Sequence, residues 1–451
     1  MKLNLEEWKK SLFHKDICVV GIGISHLPLI DYLVSLGANV TACDAKTAEQ
    51  LGANGRALAE KGVRLKLGDN YLQDLSGDII FKTPGLRPDV PALLDAAAHG
   101  ICVTTEMETF LELCPAHVTA VTGSDGKTTT TTLIYKLLSA AGFKTHVGGN
   151  IGAPLLPQID TIAKTDRVVL ELSSFQLQTM TTAPQTAVIT NISPNHLDYH
   201  KDYGEYIEAK KNILRYQSAH DLAVLNLDNE VTRKLSKEAN GRVLTFSRRD
   251  KADICLEDGQ IYVCGEPVLP IADIRIPGMH NVENYMAAIG AVYPAVSKEA
   301  IVTCANTFGG VAHRLEFVRE LSGVRYFNSS IDSSPNRTIH ALSVFSEPVV
   351  LIAGGKDKGI PYDDLGPAVR KHAKALVLIG ATAKTIAEVA QKAAPQVPVY
   401  FAESYESAVL QAKNLAEPGD VVLLSNASTS FDMFKNFEER GNLFKDLVNR
   451  L

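Results

Sequence analysis

Paired cysteines are the first thing this sequence lacks. Its 7 cysteines are scattered over 451 residues and no two form a C-x-x-C pair. That spacing excludes a zinc cage and a disulfide framework, and it implies reduced, mostly buried thiols. A basic excess is also missing, since 45 Lys and Arg against 51 Asp and Glu give a formal net charge of −6. Neither a nucleic-acid footprint nor a polybasic membrane patch fits that balance, so any anionic ligand must be held by a local site. No apolar run reaches the length of a membrane span. The charged first ten residues carry no apolar core of the kind a signal peptide needs. The expectation is a cytoplasmic monomer acting on small molecules, with no nucleic-acid partner and no membrane insertion.

What is present is an ordinary globular composition, 45% hydrophobic and 21% charged, long enough for roughly two to four domains. Short apolar runs at 17–20, 40–43, 78–82, 118–122, 168–172, 187–191, 223–226, 349–353, 375–379 and 421–425 alternate with helix-length segments. Such alternation predicts βαβ units and parallel sheets covered by helices on both faces. The pattern breaks near 104–115 and again near 308–313, which divides the chain into 1–106, 107–310 and 311–451. The stretch 242–276 has short β-like runs and the turns Glu257-Asp258-Gly259 and Cys264-Gly265, and reads as a small antiparallel patch on the middle sheet. The fold class is therefore α/β in three domains. A Rossmann-like N-terminal domain precedes a central P-loop ATPase-like parallel sheet with the patch, and a Rossmann-like C-terminal domain follows.

In the first domain, strand 17–20 runs into Gly21-Ile22-Gly23-Ile24-Ser25-His26, and Asp44 ends the next strand. A glycine turn between strand and helix lets N–H groups approach a phosphate, and the acid is placed for a ribose or sugar hydroxyl. His26 occupies the third glycine position of a dinucleotide fingerprint, which favours a nucleotide other than NAD and weighs against an oxidoreductase. Thr83-Pro84-Gly85-Leu86 follows another strand at the same end of the sheet.

The central domain carries strand 118–122, then Gly123-Ser124-Asp125-Gly126-Lys127-Thr128-Thr129 and a helix. Such a loop forms an N–H nest for phosphate, Lys127 adds a point charge for the β/γ-phosphates, and the Thr128 hydroxyl suits Mg²⁺. Val121 stands where a full P-loop has its first glycine, so this is a shorter variant. Glu171 interrupts an apolar strand near its ligand-facing end, where an acid is costly unless paired or metal-bound. His196, after strand 187–191, brings an imidazole to the same end. Gly148-Gly149-Asn150 and the 278–284 segment ending in Asn284 add side-chain amides. In the last domain, Gly354-Gly355-Lys356-Asp357-Lys358 suits a small carboxylate, and Ser428-Thr429-Ser430 is either a helix cap or an anion site.

Taken in this order and spacing, the phosphate loop, Glu171-Leu172-Ser173-Ser174, Asn191 through His196, Gly278 through Asn284 and His313-Arg314 resemble the Mur ligases over essentially the whole chain. The run from Ser430 through Phe437 to Gly441 resembles the D-glutamate-adding branch. The resemblance implies an ATP-dependent ligase of peptidoglycan precursor synthesis that uses ATP and Mg²⁺. It would join D-glutamate to UDP-N-acetylmuramoyl-L-alanine through an acyl phosphate. By the same resemblance Lys127, Glu171, His196 and Lys210 are catalytic. Thr128, Glu171, His196 and Lys210 hold metal, Lys210 matching the lysine that is carbamylated in the family. Gly123, Ser124, Asp125, Gly126, Lys127, Thr128, Thr129, Asn284 and Arg314 lie around ATP. Gly23, Ser25, Asp44, Gly85 and Asn150 lie around the uridine nucleotide sugar, and Lys358, Ser430 and Phe437 around D-glutamate. One departure stands out. Where the family places an aspartate facing ATP, this chain reads Asn328-Ser329-Ser330-Ile331-Asp332. Either the loop is rebuilt around Asp332 or serines replace the acid. A folylpolyglutamate-synthase-like ligase would lack the extra N-terminal nucleotide fold.

Overall fold

The computed structural model describes residues 4–451. Its first sheet contains β1 (Asp16–Val20), β2 (Asn39–Asp44), β3 (Arg64–Leu67), β4 (Ile79–Lys82) and β5 (Cys102–Thr104). All pairs are parallel and the order is β3-β2-β1-β4-β5. The order reverses between β1 and β4, which opens a crevice at their carboxyl ends, where the Gly21–Ser25 and Thr83–Leu86 turns lie. The helix His26–Ser35 buries Leu29, Ile30 and Leu33 completely. Each such side chain contributes about 1.5–3 kcal/mol and anchors the helix that follows the glycine turn.

The second sheet contains β6 (His117–Thr122), β7 (Thr145–Gly149), β8 (Arg167–Glu171), β9 (Thr186–Ile189), β10 (Leu222–Asn226), β11 (Arg242–Ser247), β12 (Ile254–Glu257), β13 (Gln260–Val263) and β14 (Glu266–Pro270). Their order is β14-β13-β12-β11-β10-β9-β6-β8-β7. The expected antiparallel patch is narrower than 242–276. β11 pairs parallel to β10 and β12 parallel to β11, and only β12, β13 and β14 run antiparallel. The helix Glu230–Leu235 returns the chain for a parallel β11, whereas Asp258 and Gly259, both at positive φ, make a two-residue hairpin after β12. A second correction concerns Gly148 and Gly149, read as loop. They are the end of β7, and a Cβ on Gly149 would stand 2.2 Å from the Glu171 carbonyl oxygen. Glycine there lets the strand lie against the end of β8.

The third sheet contains β15 (Glu316–Leu321), β16 (Val324–Asn328), β17 (Val349–Ala353), β18 (Ala373–Leu378), β19 (Val399–Phe401) and β20 (Val421–Leu424), in the order β15-β16-β20-β17-β18-β19. Only β15 and β16 are antiparallel. The chain forms two compact units: Met1–Ile271 with Glu283–Cys304, and Ala272–Val282 with Ala305–Leu451. The first unit holds the first two sheets and the second unit holds the third. No helix among the described residues is long and apolar enough to cross a membrane.

The helix Glu106–Leu113 leads from the first sheet to the second, capped by Thr105, whose hydroxyl accepts the Glu108 N–H at 3.1 Å. Glu106 is 7% exposed and, among the described residues, accepts main-chain N–H groups, including that of Leu156 at 2.9 Å. Burial pushes its carboxyl up from 4.5 to about 7. A raised carboxyl binds its proton more tightly folded than unfolded, so stability falls as pH rises from about 4.5 to 7 and is level beyond. The loss is ~3 kcal/mol. Glu106→Gln keeps the acceptor oxygen and removes the charge. Urea unfolding at pH 5 to 8 should show a flatter dependence for the variant and higher stability than wild type at pH 8. Parallel curves would refute the assignment.

Candidate active site

β6 delivers the chain to Gly123–Gly126, and the helix Lys127–Ala140 begins at once. Both glycines are required by neighbours. A Cβ on Gly123 would fall 2.0 Å from Thr190 Oγ1, and one on Gly126 2.3 Å from Asn284 Oδ1. Asn284 also accepts the Thr130 hydroxyl at 3.3 Å. The loop is fixed by the segment after β9, because Ser124 N–H donates to the Asn191 carbonyl at 2.8 Å and Asp125 N–H to Asn191 Oδ1 at 3.0 Å. Those two N–H groups are therefore structural, which narrows the expected nest to the first turn of the helix, where N–H groups lack intrahelical partners. Lys127 Nζ folds over the loop and donates to the carbonyls of Gly123 and Ser124 at 2.9 and 3.0 Å. Thr128 and Thr129 sit in the helix's first turn, and the Thr132 hydroxyl bonds the Thr128 carbonyl at 2.7 Å.

Glu171 ends β8 beside Val121 in the register. It is 1% exposed, and its Oε1 accepts the Asn150 amide at 2.8 Å. Its Oε2 is buried without a hydrogen-bond partner among the described residues. Lys210, on the helix Tyr203–Arg215, points at the same loop. Its Nζ donates to the Gly123 carbonyl at 2.8 Å and to Thr122 Oγ1 at 3.2 Å, and lies 4.8 Å from the Tyr206 ring centroid. Burial, and next the nearby Lys127 charge, hold this amine well below the ordinary lysine range. Adjacent Lys211 turns away to pair with Glu238, so Lys210 is the lysine that faces the loop. His196 has φ +53 and packs edge-on to Phe175 at 5.0 Å. Partial burial, then Lys127, lower its proton affinity and keep the imidazole neutral.

Among the described residues no group of three His, Cys, Asp or Glu is arranged to hold a metal. Mg²⁺ rarely uses an all-protein cage and takes one or two carboxylates plus substrate phosphates. The unpartnered Glu171 Oε2 is a donor of that kind, so the residues present fit such an ion.

At the first sheet, Asp44 accepts the Ile22 N–H at 2.5 Å and the Lys46 N–H at 2.9 Å. It organises the glycine turn while each oxygen keeps a lone pair for a hydroxyl. His26 replaces the third fingerprint glycine for a structural reason: fully buried and neutral, it donates from Nδ1 to the Gly21 carbonyl at 2.8 Å. Gly23 and Gly85 face open space, and Ser25 makes no side-chain cap bond. Two residues here went unread in the sequence. Ile24 is 90% exposed on the turn, and Lys82 is 2% exposed, with Nζ donating to the Leu86 carbonyl at 3.1 Å. Burial lowers Lys82 to about 8. The available signal was a lysine closing an otherwise apolar strand.

In the second unit, Lys356 and Thr429 exchange main-chain bonds of 2.9 and 3.1 Å, tying the glycine loop to the 428–430 loop. Lys358 is exposed on the first loop and Ser430 is 3% exposed on the second. Phe437 starts the helix Phe437–Arg450 and meets the His313 ring at 5.9 Å. Arg314 is exposed, its N–H bonding the Val311 carbonyl at 3.0 Å. Asp332 is turned inward at 6% exposure and accepts the Ser425 hydroxyl at 2.9 Å. Arg440, which the sequence offered only as part of the run ending at Gly441, is fully buried and bonded to Ser330 Oγ at 2.9 Å and the Ser330 carbonyl at 2.7 Å.

Comparison with known proteins adds three findings. The Mur ligase middle domain matches residues 121–292, and the Mur ligase glutamate ligase domain matches 313–427. The UDP-N-acetylmuramoylalanine--D-glutamate ligases of Ruminiclostridium cellulolyticum and Acetivibrio thermocellus are 53% and 52% identical, with all of this chain and all of theirs covered. Among solved structures, the UDP-N-acetylmuramate-alanine ligase of Thermotoga maritima shares the fold, with TM-score 0.58 at 19% identity, covering 97% of this chain and 100% of that one. MurF from Acinetobacter baumannii gives a TM-score of 0.56 at 20% identity, covering 76% of this chain and 78% of that one.

Proposed function

The chain belongs to the Mur ligase family, and from that premise we propose that it joins D-glutamate to UDP-N-acetylmuramoyl-L-alanine at the expense of ATP. It is an ATP-dependent, amide-bond-forming ligase of peptidoglycan precursor synthesis. The observation that carries the reading is the convergence of Lys127, Lys210 and the Thr190-Asn191 segment on Gly123, with Glu171 ending the neighbouring strand.

The alanyl carboxylate of the sugar nucleotide attacks the γ-phosphate, giving an acyl phosphate and ADP. The amine of D-glutamate then attacks the acyl carbon and inorganic phosphate leaves. The first step brings two anions together, so Lys127 and the first-turn N–H groups must offset their repulsion. A bound Mg²⁺ supplies further positive charge at the phosphate oxygens. Thr128 and Glu171 would hold one such ion and His196 a second, with Lys210 contributing a carbamate oxygen. Burial shifts Lys210 toward the neutral amine, the form that adds carbon dioxide. No step calls for a protein nucleophile.

In this reading residues 1–106 bind the sugar nucleotide through Gly23, Ser25, Asp44 and Gly85, with Asn150 adding an amide. Residues 107–310 bind ATP, and 311–451 bind D-glutamate through Lys358, Ser430 and Phe437. Asn284 completes the nucleotide contacts of its own unit. The enzyme works as a cytoplasmic monomer.

The test is phosphate release from ATP with UDP-N-acetylmuramoyl-L-alanine, offered D-glutamate, L-glutamate, D-aspartate or L-lysine in turn. Turnover should need D-glutamate, and the product should be heavier by one glutamyl residue. Equal turnover with L-lysine would discard the amino-acid assignment.

A further inference from the structure

One side chain outside every expected site joins the Gly85 turn to the loop that carries His196. Arg87 places Nε and Nη2 on the two carboxylate oxygens of Asp89, each at 2.9 Å. Nη2 and Nη1 reach Glu205 at 3.0 and 3.2 Å, and Nη1 also donates to the Tyr199 carbonyl. Tyr199 returns the contact, its hydroxyl donating to the Pro84 carbonyl at 3.2 Å. An isolated surface ion pair contributes little. Here the planar fork is bidentate to two carboxylates and closes on a main-chain carbonyl, a geometry an ammonium cannot copy.

The chain of contacts continues to His196. Glu205 accepts the Lys201 N–H at 2.7 Å and lies 3.5 Å from His200 Nδ1. His200 Nε2 is 2.9 Å from Ser174 Oγ, just past the strand that ends in Glu171. Tyr199 and His200 both donate their N–H to the His196 carbonyl, at 3.1 and 3.0 Å. His196 therefore takes its left-handed backbone conformation from two residues that Arg87 and Glu205 hold.

We propose that Arg87 is a positioning residue, a latch that couples the turn receiving the uridine nucleotide sugar to the loop that presents His196. Filling the first is then felt at the second. The inference rests on the placement of the sugar nucleotide and of His196 given under Proposed function.

Hydrogen exchange of the full-length enzyme, read by mass spectrometry with UDP as the probe, tests it directly. In wild type, UDP should slow exchange at 83–89 and at 196–201. In Arg87→Ala, exchange at 196–201 should be at least ~10-fold faster without ligand, and UDP should protect only 83–89. The kcat should fall by about 10-fold, with KM for D-glutamate within twofold. Arg87→Lys should behave like Arg87→Ala, and Glu205→Gln should loosen 196–201 in the same direction. Identical exchange at 196–201 in wild type and Arg87→Ala overturns the latch, as does full rescue by lysine. So does a parallel loss of every kinetic parameter and of thermal midpoint, which marks a merely structural pair. If UDP protects neither segment of the wild type, the sugar-nucleotide placement falls instead, and the ligand-free comparison decides whether Arg87 holds the loop.

Discussion

Lys127→Ala should cut phosphate release by about 10²–10³-fold while the protein stays folded. The attacking carboxylate and the γ-phosphate are both anionic, and the side chain that sits over the phosphate loop is the Lys127 ammonium. Removing one preorganised donor from a site of this kind costs ~2.7–4 kcal/mol of transition-state stabilisation. The loss should appear mainly in kcat, because charge accumulates as the new phosphate bond forms. Folding should be spared, since the Gly123 and Ser124 carbonyls that Nζ bonds can be satisfied by water when the side chain is gone. Lys127→Arg keeps the charge but replaces a compact ammonium with a wide planar fork, and should recover little. Coupled phosphate-release assays with a thermal scan of each variant make the measurement. Turnover of Lys127→Ala within tenfold of wild type would sink the assignment of this loop to ATP.

The sheets were readable because a buried parallel strand announces itself as a short run of apolar residues. Val349–Ala353 and Val168–Leu170 are buried throughout. Edge strands are different. β3 (Arg64–Leu67) and β5 (Cys102–Thr104) are short and half-exposed, so their composition carries no comparable signal. β7 was hidden by Gly148 and Gly149, which are turn residues by habit. They stand in a strand here because the neighbouring Leu155 side chain and Glu171 backbone leave no room for a Cβ.

At the candidate site, motif spacing pointed to Gly123 to Thr129 and Glu171 and the family resemblance pointed to Lys210, but neither can say which of two adjacent lysines faces inward. The helix settles that: Lys210 is buried and Lys211 reaches Glu238. His26 looked like a broken fingerprint, yet it is a packing device bonded to Gly21. Asp332 is engaged inside its own unit with Ser425, a role its position in the motif did not suggest. Arg87 was illegible because its partners Tyr199 and Glu205 lie 112 and 118 residues away.

Glu171→Gln should make the ligand-free enzyme slightly more stable and nearly inactive. Glu171 is 1% exposed, with Oε1 on Asn150 and Oε2 buried and unpartnered among the described residues. A buried polar group left without a partner costs about 1–3 kcal/mol, more when charged. Glutamine keeps an oxygen for the Asn150 amide and puts a neutral NH₂ where the unpartnered carboxylate oxygen stood, so the part of the cost that comes from charge is removed. The thermal midpoint without ligand should rise by about 1–3 °C. The same carboxylate oxygen is the one a divalent cation would take up, so activity should fall by ~10² or more. Binding stabilises the folded state in proportion to occupancy. Wild type should therefore gain more from ATP with Mg²⁺ than the variant does. The order of midpoints should reverse: the variant higher without ligand, the wild type higher with both added. A scan of both proteins under the two conditions reads the crossing. A variant that starts lower and gains as much would show that Glu171 holds the end of β8 and has no share in binding the metal.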